Sequence, residues 1–154
     1  MTWDRNVVLF FSGQLTSRLG DAVRLVAVPW LLLQLTGSPL ALGLGGIAGV
    51  LPFLIFGLFG GIAADRFDRR RLMIVADLIR AGLAMLIPAL LAVGALAPWH
   101  IYLATFLSGV AGTFFYPAQT ALLPMITSRA ELVRVNAAFS LGRQILNLVG
   151  TGAA

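Results

Sequence analysis

Charged side chains lie inside a long apolar stretch near the start of this chain, where a charge is unfavourable unless it has a structural or functional role. The polar residues there share an arc of roughly 120° on a helix with 3.6 residues per turn, and they are Gln14, Ser17, Arg18, Asp21 and Arg24. A charged aspartate at the centre of a membrane helix costs roughly 2.5–3.5 kcal/mol on insertion scales. The chemistry open to Asp21 is reversible protonation, because burial disfavours a carboxylate and a nearby arginine favours it.

Three interpretations of Asp21 are open. It is a proton-coupling residue if it pairs with Arg18 or Arg24 in one conformation and loses that partner in another. It is a brace if the pair is permanent, and a turn or cap if the helix breaks at Gly20. The candidates for proton coupling are therefore Asp21, Arg18 and Arg24.

Two later apolar stretches carry polar stripes of the same kind. One stripe covers an arc of roughly 80° and contains Tyr102, Thr105, Gly109, Thr113, Tyr116 and Thr120. The other covers roughly 60° and contains Asn136, Ser140, Arg143 and Asn147. We predict that the polar side chains of both stripes, with Gln14, line a central cavity. For the neutral residues, hydrogen bonding between helices is the open alternative.

Two further patterns are interpreted as structural. Asp77 and Arg80 are three residues apart, so they can pair on one helix face, and we expect this pair to be tied to the arginine-rich loop that precedes it. A row of glycines at four-residue spacing is predicted to be a seam where helices pack closely, and it consists of Gly45, Gly49, Gly57 and Gly61.

The composition is that of a membrane protein. Hydrophobic residues make up 59% of the chain and charged residues 11%, whereas about a quarter of the residues in a soluble domain are charged. Residues 25–64 carry no charge, and residues 81–128 carry none besides a neutral His100. Each stretch is long enough for two crossings of roughly 20 residues, so the lipid bilayer is an expected partner.

The net charge of +5 does not indicate nucleic acid as a partner. All eleven basic residues are arginines, mostly in short loops, and no soluble domain is present to display a basic face.

We predict an all-α membrane protein with five transmembrane helices, at about residues 7–35, 40–64, 72–96, 101–126 and 133–154. The connections after the first and third spans carry no arginine. Those after the second and fourth hold Arg66, Arg69, Arg70, Arg71, Arg129 and Arg134. Because positive residues concentrate on the cytoplasmic side, we expect a multi-pass protein of the cell membrane, inner or plasma, with its N-terminus in the cytoplasm.

The connection after the second span carries a motif. It reads Gly-Gly-Ile-Ala-Ala-Asp-Arg-Phe-Asp-Arg-Arg-Arg over residues 60–71. This resembles the major facilitator signature G-x-x-x-D-R-x-G-R-R/K, with matches at Gly61, Asp65, Arg66, Arg69 and Arg70. Asp68 stands where the signature has glycine. Since aspartate tolerates left-handed backbone better than most residues, we expect the turn to survive.

Other segments resemble the drug, macrolide and siderophore exporter branch of the superfamily. They are Leu19-Gly20-Asp21, Leu35-Thr36-Gly37-Ser38-Pro39-Leu40-Ala41-Leu42-Gly43, and Tyr116-Pro117-Ala118 with Ala121-Leu122-Leu123-Pro124. The resemblance covers essentially the whole chain. It implies a twelve-helix fold of two six-helix halves, of which residues 1–154 are a partial N-terminal half that lacks its C-terminal partner.

The resemblance also implies secondary active transport. A small molecule, drug-like or a siderophore, would be exported by alternating access, driven by a proton gradient and without a bound cofactor. By the same resemblance Gly61, Asp65, Arg66, Arg69 and Arg70 form a gating loop. Asp65 in this loop would meet a helix end in the other half and help to hold the cytoplasmic gate shut.

Other functional classes have less support. A non-transporting scaffold or degenerate half stays open, because five helices cannot build a two-sided site, and adjacent downstream coding sequence would discriminate. An enzyme lacks support, since one histidine, no cysteine and no carboxylate cluster provide neither a metal nor an acid–base site. A nucleotide-driven pump needs the lysine of a phosphate-binding loop, and the chain contains no lysine.

Overall fold

A computed structural model of the chain describes the backbone of residues 5–126 and the side chains of residues 13 and 16–122. Within this range the chain forms four helices, α1 (Arg5–Thr36), α2 (Pro39–Arg66), α3 (Arg69–Ala92) and α4 (Pro98–Ile126). The predicted fifth span at 133–154, with Asn136, Ser140, Arg143 and Asn147, lies outside the described residues.

All four helices contain a segment long and apolar enough to cross a membrane. Many of their large apolar side chains are exposed, among them Leu54 and Leu58 of α2. A row of exposed leucines would be unfavourable in water and is favourable against lipid. The predicted all-α membrane fold is therefore confirmed.

The short connections follow from local backbone chemistry. Gly37 has a φ of +61°, and its N–H donates to the carbonyl of Leu33 at 2.8 Å, which ends α1. Pro39 then occupies the first turn of α2, where its missing N–H costs nothing.

Asp68 begins α3 as its N-cap. Its carboxylate accepts a hydrogen bond from the N–H of Arg71 at 2.8 Å, so α3 starts at Arg69, three residues before the predicted position. The φ of Asp68 is −61°, which corrects the expected reason for aspartate at the glycine position of the motif. Tolerance of left-handed backbone does not explain aspartate at this position. Helix capping does, because the side chain satisfies a helix N–H that would otherwise lack a partner.

Gly94 ends α3 earlier than expected. Its φ is +70°, and the N–H groups of Gly94 and Ala95 donate to the carbonyls of Leu91 and Leu90. This is the hydrogen-bond pattern of a Schellman cap. The predicted end near residue 96 was too late because residues 95–97 are apolar and extend the hydropathy pattern beyond the cap.

The described helices pack around α4, which lies closest to α2 and α3. Small residues allow this approach, since a Cβ at Gly109 of α4 would stand 2.8 Å from Pro52 Cγ of α2. A buried apolar cluster joins α2, α3 and α4, and it contains Ala64, Met73, Ala76, Ala111, Phe115 and Ala118. The backbone of α1 packs less closely, mainly on α2 and α4.

The predicted glycine seam is only partly right. A Cβ at Gly45 would meet Leu32 Cδ1 at 2.7 Å, and one at Gly49 would meet the Thr105 methyl at 3.6 Å, but Gly57 and Gly61 face open space. Gly60 makes the closest approach to α4 instead. The reason is geometric, because a four-residue spacing turns about 40° around the helix at each step and the row leaves the interface.

Candidate functional site

One arginine of α3 holds two carboxylates from different helices. Nη2 of Arg80 donates to Oδ1 of Asp21 on α1, and Nη1 of Arg80 donates to Oδ1 of Asp77 at 3.4 Å. The hydroxyl of Ser17 on α1 donates to Oδ2 of Asp77 at 3.1 Å. We call Ser17, Asp21, Asp77 and Arg80 the charge cluster.

Helix geometry brings this cluster together. Ser17 and Asp21 are four residues apart on α1, and Asp77 and Arg80 are three apart on α3, so each helix presents one polar face. The Arg80 guanidinium carbon also lies 5.6 Å from the centroid of the Phe115 ring on α4, a favourable position for a cation. The Arg80 side chain is 11% exposed, against 35% for Asp21 and 38% for Asp77.

The partner of Asp21 differs from the sequence prediction. Arg18 and Arg24 were the expected partners, but the carboxylate is bound by Arg80, which lies 59 residues away in the chain. Arg24 interacts electrostatically with both Asp21 and Arg80, and Arg18 is half-buried. The predicted pair of Asp77 with Arg80 is present, but it joins α1 rather than the arginine-rich loop. Sequence spacing gave no signal for this link.

The arginine-rich loop fastens two helix ends through one residue. Nε of Arg69 donates to the carbonyl of Ala64 on α2, and Nη1 donates to the carbonyl of Ala121 on α4, both at 3.3 Å. At Ala64, in the last turn of α2, a cation is favourable because the carbonyl groups of a helix C-terminus lack helical donors. Asp65, Arg66 and Arg70 are exposed, whereas Gly61 is half-buried. The gating role of these five motif residues stays a prediction.

A groove of about 560 Å³ lies between α2 and α4. Its lining is mainly apolar and consists of Phe53, Gly57, Thr113, Tyr116, Pro117, Thr120 and Ala121. The rings of Phe53 and Tyr116 lie 6.0 Å apart between centroids and are tilted by 32°. This volume is within the range of small-molecule sites, which are usually apolar with a few polar groups.

The candidate cavity residues of α4 divide into two groups. Thr113 and Tyr116 line the groove. Tyr102 instead donates to the carbonyl of Ala41 on α2 at 3.4 Å, which is the interhelical hydrogen bond of the alternative interpretation. The methyl group of Thr105 packs at Gly49 of α2. The side chain of Gln14 lies outside the described residues.

The groove and the charge cluster are neighbours. Tyr116 lines the groove and packs edge-on against Phe115, with centroids 5.7 Å apart and planes at 89°. Phe115 in turn supports the guanidinium of Arg80. In the part of the chain that the structure describes, no group of three or more histidine or carboxylate side chains is placed to hold a metal ion.

Four described helices of membrane length, with an ion pair between two of them, define a multi-pass membrane protein. Sequence comparison gives the family. The profile of the transmembrane secretion effector family matches residues 6–153, and the chain belongs to that family of the major facilitator superfamily. The family is one of transporters rather than enzymes, and the predicted membership, as an N-terminal portion resembling drug exporters, is confirmed.

Curated relatives agree with this assignment. The chain is 28% identical to macrolide efflux protein A of Streptococcus pyogenes over 132 residues, which cover 86% of this chain and 33% of the relative. It is 31% identical to the multidrug efflux pump Tap of Mycolicibacterium fortuitum over 152 residues, which cover 95% of this chain and 37% of that protein. The chain thus spans about a third of the length of these relatives. No solved structure matches it.

Proposed function

We propose that the full-length protein exports a lipophilic small molecule in exchange for protons, by alternating access between two halves. The observation that carries the proposal is the ion pair of Asp21 and Arg80 between membrane-spanning helices. Charge within a membrane span is expensive and usually marks an ion or substrate path.

Asp21 is the proton carrier in this proposal. Its side chain is 35% exposed, so the carboxylate is not sealed between α1 and α3. Protonation would remove the negative charge and with it the attraction to Arg80. The competing role of the same ion pair is a permanent brace between α1 and α3. Proton coupling and bracing predict different effects on transport when residue 21 can no longer ionise.

The substrate class follows from the groove and from the relatives. Phe53, Tyr116 and Pro117 present aromatic and apolar surface, which suits a lipophilic molecule better than an ion. One relative is named for macrolide efflux and another for multidrug efflux. Macrolides and other lipophilic drugs are therefore the substrates we propose.

Alternating access requires the remainder of the twelve-helix fold. In transporters of this kind the substrate binds near the middle of the membrane, between two halves that rock around it. The N-terminus is cytoplasmic in this proposal and the protein lies in the cell membrane, because Arg66, Arg69, Arg70 and Arg71 flank the connection between α2 and α3, whereas no arginine flanks the other two described connections.

The test uses the full-length protein in proteoliposomes with an imposed pH gradient and a radiolabelled macrolide. We expect uphill transport by the wild type. Asp21→Asn should lose it while keeping exchange of macrolide without a gradient, because the asparagine cannot release a proton. Asp68→Asn is the matched control, since it makes the same change outside the membrane spans and asparagine also caps helices.

Two outcomes would contradict the proposal. Uphill transport by Asp21→Asn with an unchanged pH dependence would show that Asp21 does not couple protons. No transport of the macrolide or of a lipophilic dye by the wild type would instead favour the non-transporting scaffold.

A further inference from the structure

The described parts of α1 and α3 are joined by polar side chains rather than by close packing. Their backbones hardly approach each other, in contrast to those of α2 and α4. Two side-chain contacts connect them in the charge cluster, from Asp21 to Arg80 and from Ser17 to Asp77. The position of α1 against α3 therefore depends strongly on the ionisation state of this cluster.

Arg80 keeps partners even without Asp21. Asp77 lies one turn before it on the same helix and accepts from Nη1 at 3.4 Å, and the Phe115 ring of α4 lies under the guanidinium. Loss of the Asp21 charge would therefore leave Arg80 paired and in place. What α1 loses is its ion pair with α3, while its packing on α2 and α4 remains.

The other charges around Asp21 make this release favourable. The charged groups that interact with it are Arg24 of α1 and Asp77 and Arg80 of α3. Arg18 lies one turn before Asp21 on α1, and α4 contains no aspartate, glutamate, lysine or arginine. The charges of α2 are confined to its last two residues, Asp65 and Arg66. Arg24 of α1 and Arg80 of α3 repel each other, and the Asp21 carboxylate offsets that repulsion. Once Asp21 is neutral, this repulsion is no longer offset and favours a larger distance between α1 and α3.

We propose that Arg80 is the positioning residue of a clasp between α1 and α3, closed while Asp21 is ionised and opened when Asp21 takes up a proton. The clasp rests on the proposed function, in which Asp21 is the proton carrier. In the clasp, protonation of Asp21 changes the position of α1 relative to α3. Protonation lets α1 shift relative to α3, while α3 stays bound to α4 through Arg80, Phe115 and the buried cluster.

The clasp also adjoins the groove. Tyr116 lines the groove and packs against Phe115, whose ring lies beside the guanidinium of Arg80. A ligand in the groove and a proton on Asp21 thus act on the same few side chains of α4.

The experiment measures the distance between α1 and α3 as pH changes. Spin labels at Leu25→Cys and Leu78→Cys, which are 76% and 67% exposed, report it by pulsed electron resonance on the full-length protein in lipid nanodiscs. The 154 residues contain no cysteine, so these labels are unique within this segment. We expect a short distance at alkaline pH and a longer one at acidic pH.

The variants separate a clasp from general loosening. Asp21→Asn and Arg80→Gln should give the long distance at every pH, and Arg80→Lys should restore part of the pH-dependent change. Ser17→Ala removes the second contact without altering any charge, so it should keep the change. Arg71→Gln, an exposed arginine of the same helix, is the matched control and should behave as the wild type.

A pH-dependent change that survives Arg80→Gln would overturn the clasp. If Arg80→Gln does not fold, the other two variants decide. A pH-dependent distance change that is retained in Arg80→Lys and lost in Asp21→Asn supports the clasp. A change that is retained in Asp21→Asn overturns it. Proton-driven macrolide transport without any distance change would remove the clasp and leave the proposed function intact. The expected distance change without such transport would sustain the clasp and remove the proposed function.

Discussion

Gly60 of α2 lies directly against the backbone carbonyl of Thr113 on α4. Pro117, four residues after Thr113, has no N–H to donate to that carbonyl as a helix normally would. The carbonyl thus faces α2 at the point where a glycine leaves room for it. This contact sets how closely the two helices can pack beside the groove.

We expect Gly60→Ala to destabilise the protein by about 1–3 kcal/mol, the usual cost of overpacking. A Cβ at this position would collide with backbone, which cannot turn aside as a flexible side chain can. Thermal unfolding of the full-length protein in detergent measures the effect. Gly46→Ala is the control, because Gly46 lies on the same helix and faces open space; alanine there should be neutral or stabilising by about 0.5–1 kcal/mol. Equal melting temperatures for the two variants would refute the prediction.

Asp68→Ala should fray the first turn of α3. The carboxylate that accepts from the N–H of Arg71 would be lost, and removal of such a cap costs about 1 kcal/mol. Hydrogen exchange of the Arg71 and Leu72 amides should become faster. Asp68→Asn should exchange nearly as the wild type, because asparagine caps equally well. Unchanged exchange in Asp68→Ala would show that the cap does not hold this turn.

Asp65→Asn should impair transport while insertion into the membrane stays normal. Asp65 is exposed at the end of α2, and a carboxylate near a helix N-terminus in the other half contributes a few tenths to about 1 kcal/mol. That is enough to bias two closely balanced conformations. Macrolide uptake, normalised to the amount of protein in the membrane, tests the role. Wild-type uptake by a well-expressed Asp65→Asn protein would exclude it.

The orientation can be read by cysteine labelling. We expect Ser38→Cys and Pro98→Cys to react with an impermeant thiol reagent added outside intact cells, and Phe67→Cys to react only after the cells are opened. The reason is that arginines flank Phe67 on both sides, whereas none flanks Ser38 or Pro98. Positively charged connections stay in the cytoplasm. The opposite labelling pattern would reverse the proposed topology.

The sequence alone predicted the helical membrane fold, four of its helices within the described range and the arginine-rich motif. These features are local. A run of apolar residues long enough to cross a bilayer marks a span whatever it packs against. Turn residues such as Gly37 with Pro39 mark where a span ends, because their backbone preferences do not depend on distant contacts.

Tertiary structure decided which face of each helix meets which neighbour. In a membrane span nearly every face is apolar, so hydropathy does not reveal how a helix is rotated about its axis. That rotation brought the distant Arg80 to Asp21, and it placed Gly60 rather than Gly61 against α4. Contacts between residues far apart in the chain exist only once the helices are packed, and the charge cluster and the groove both consist of such contacts.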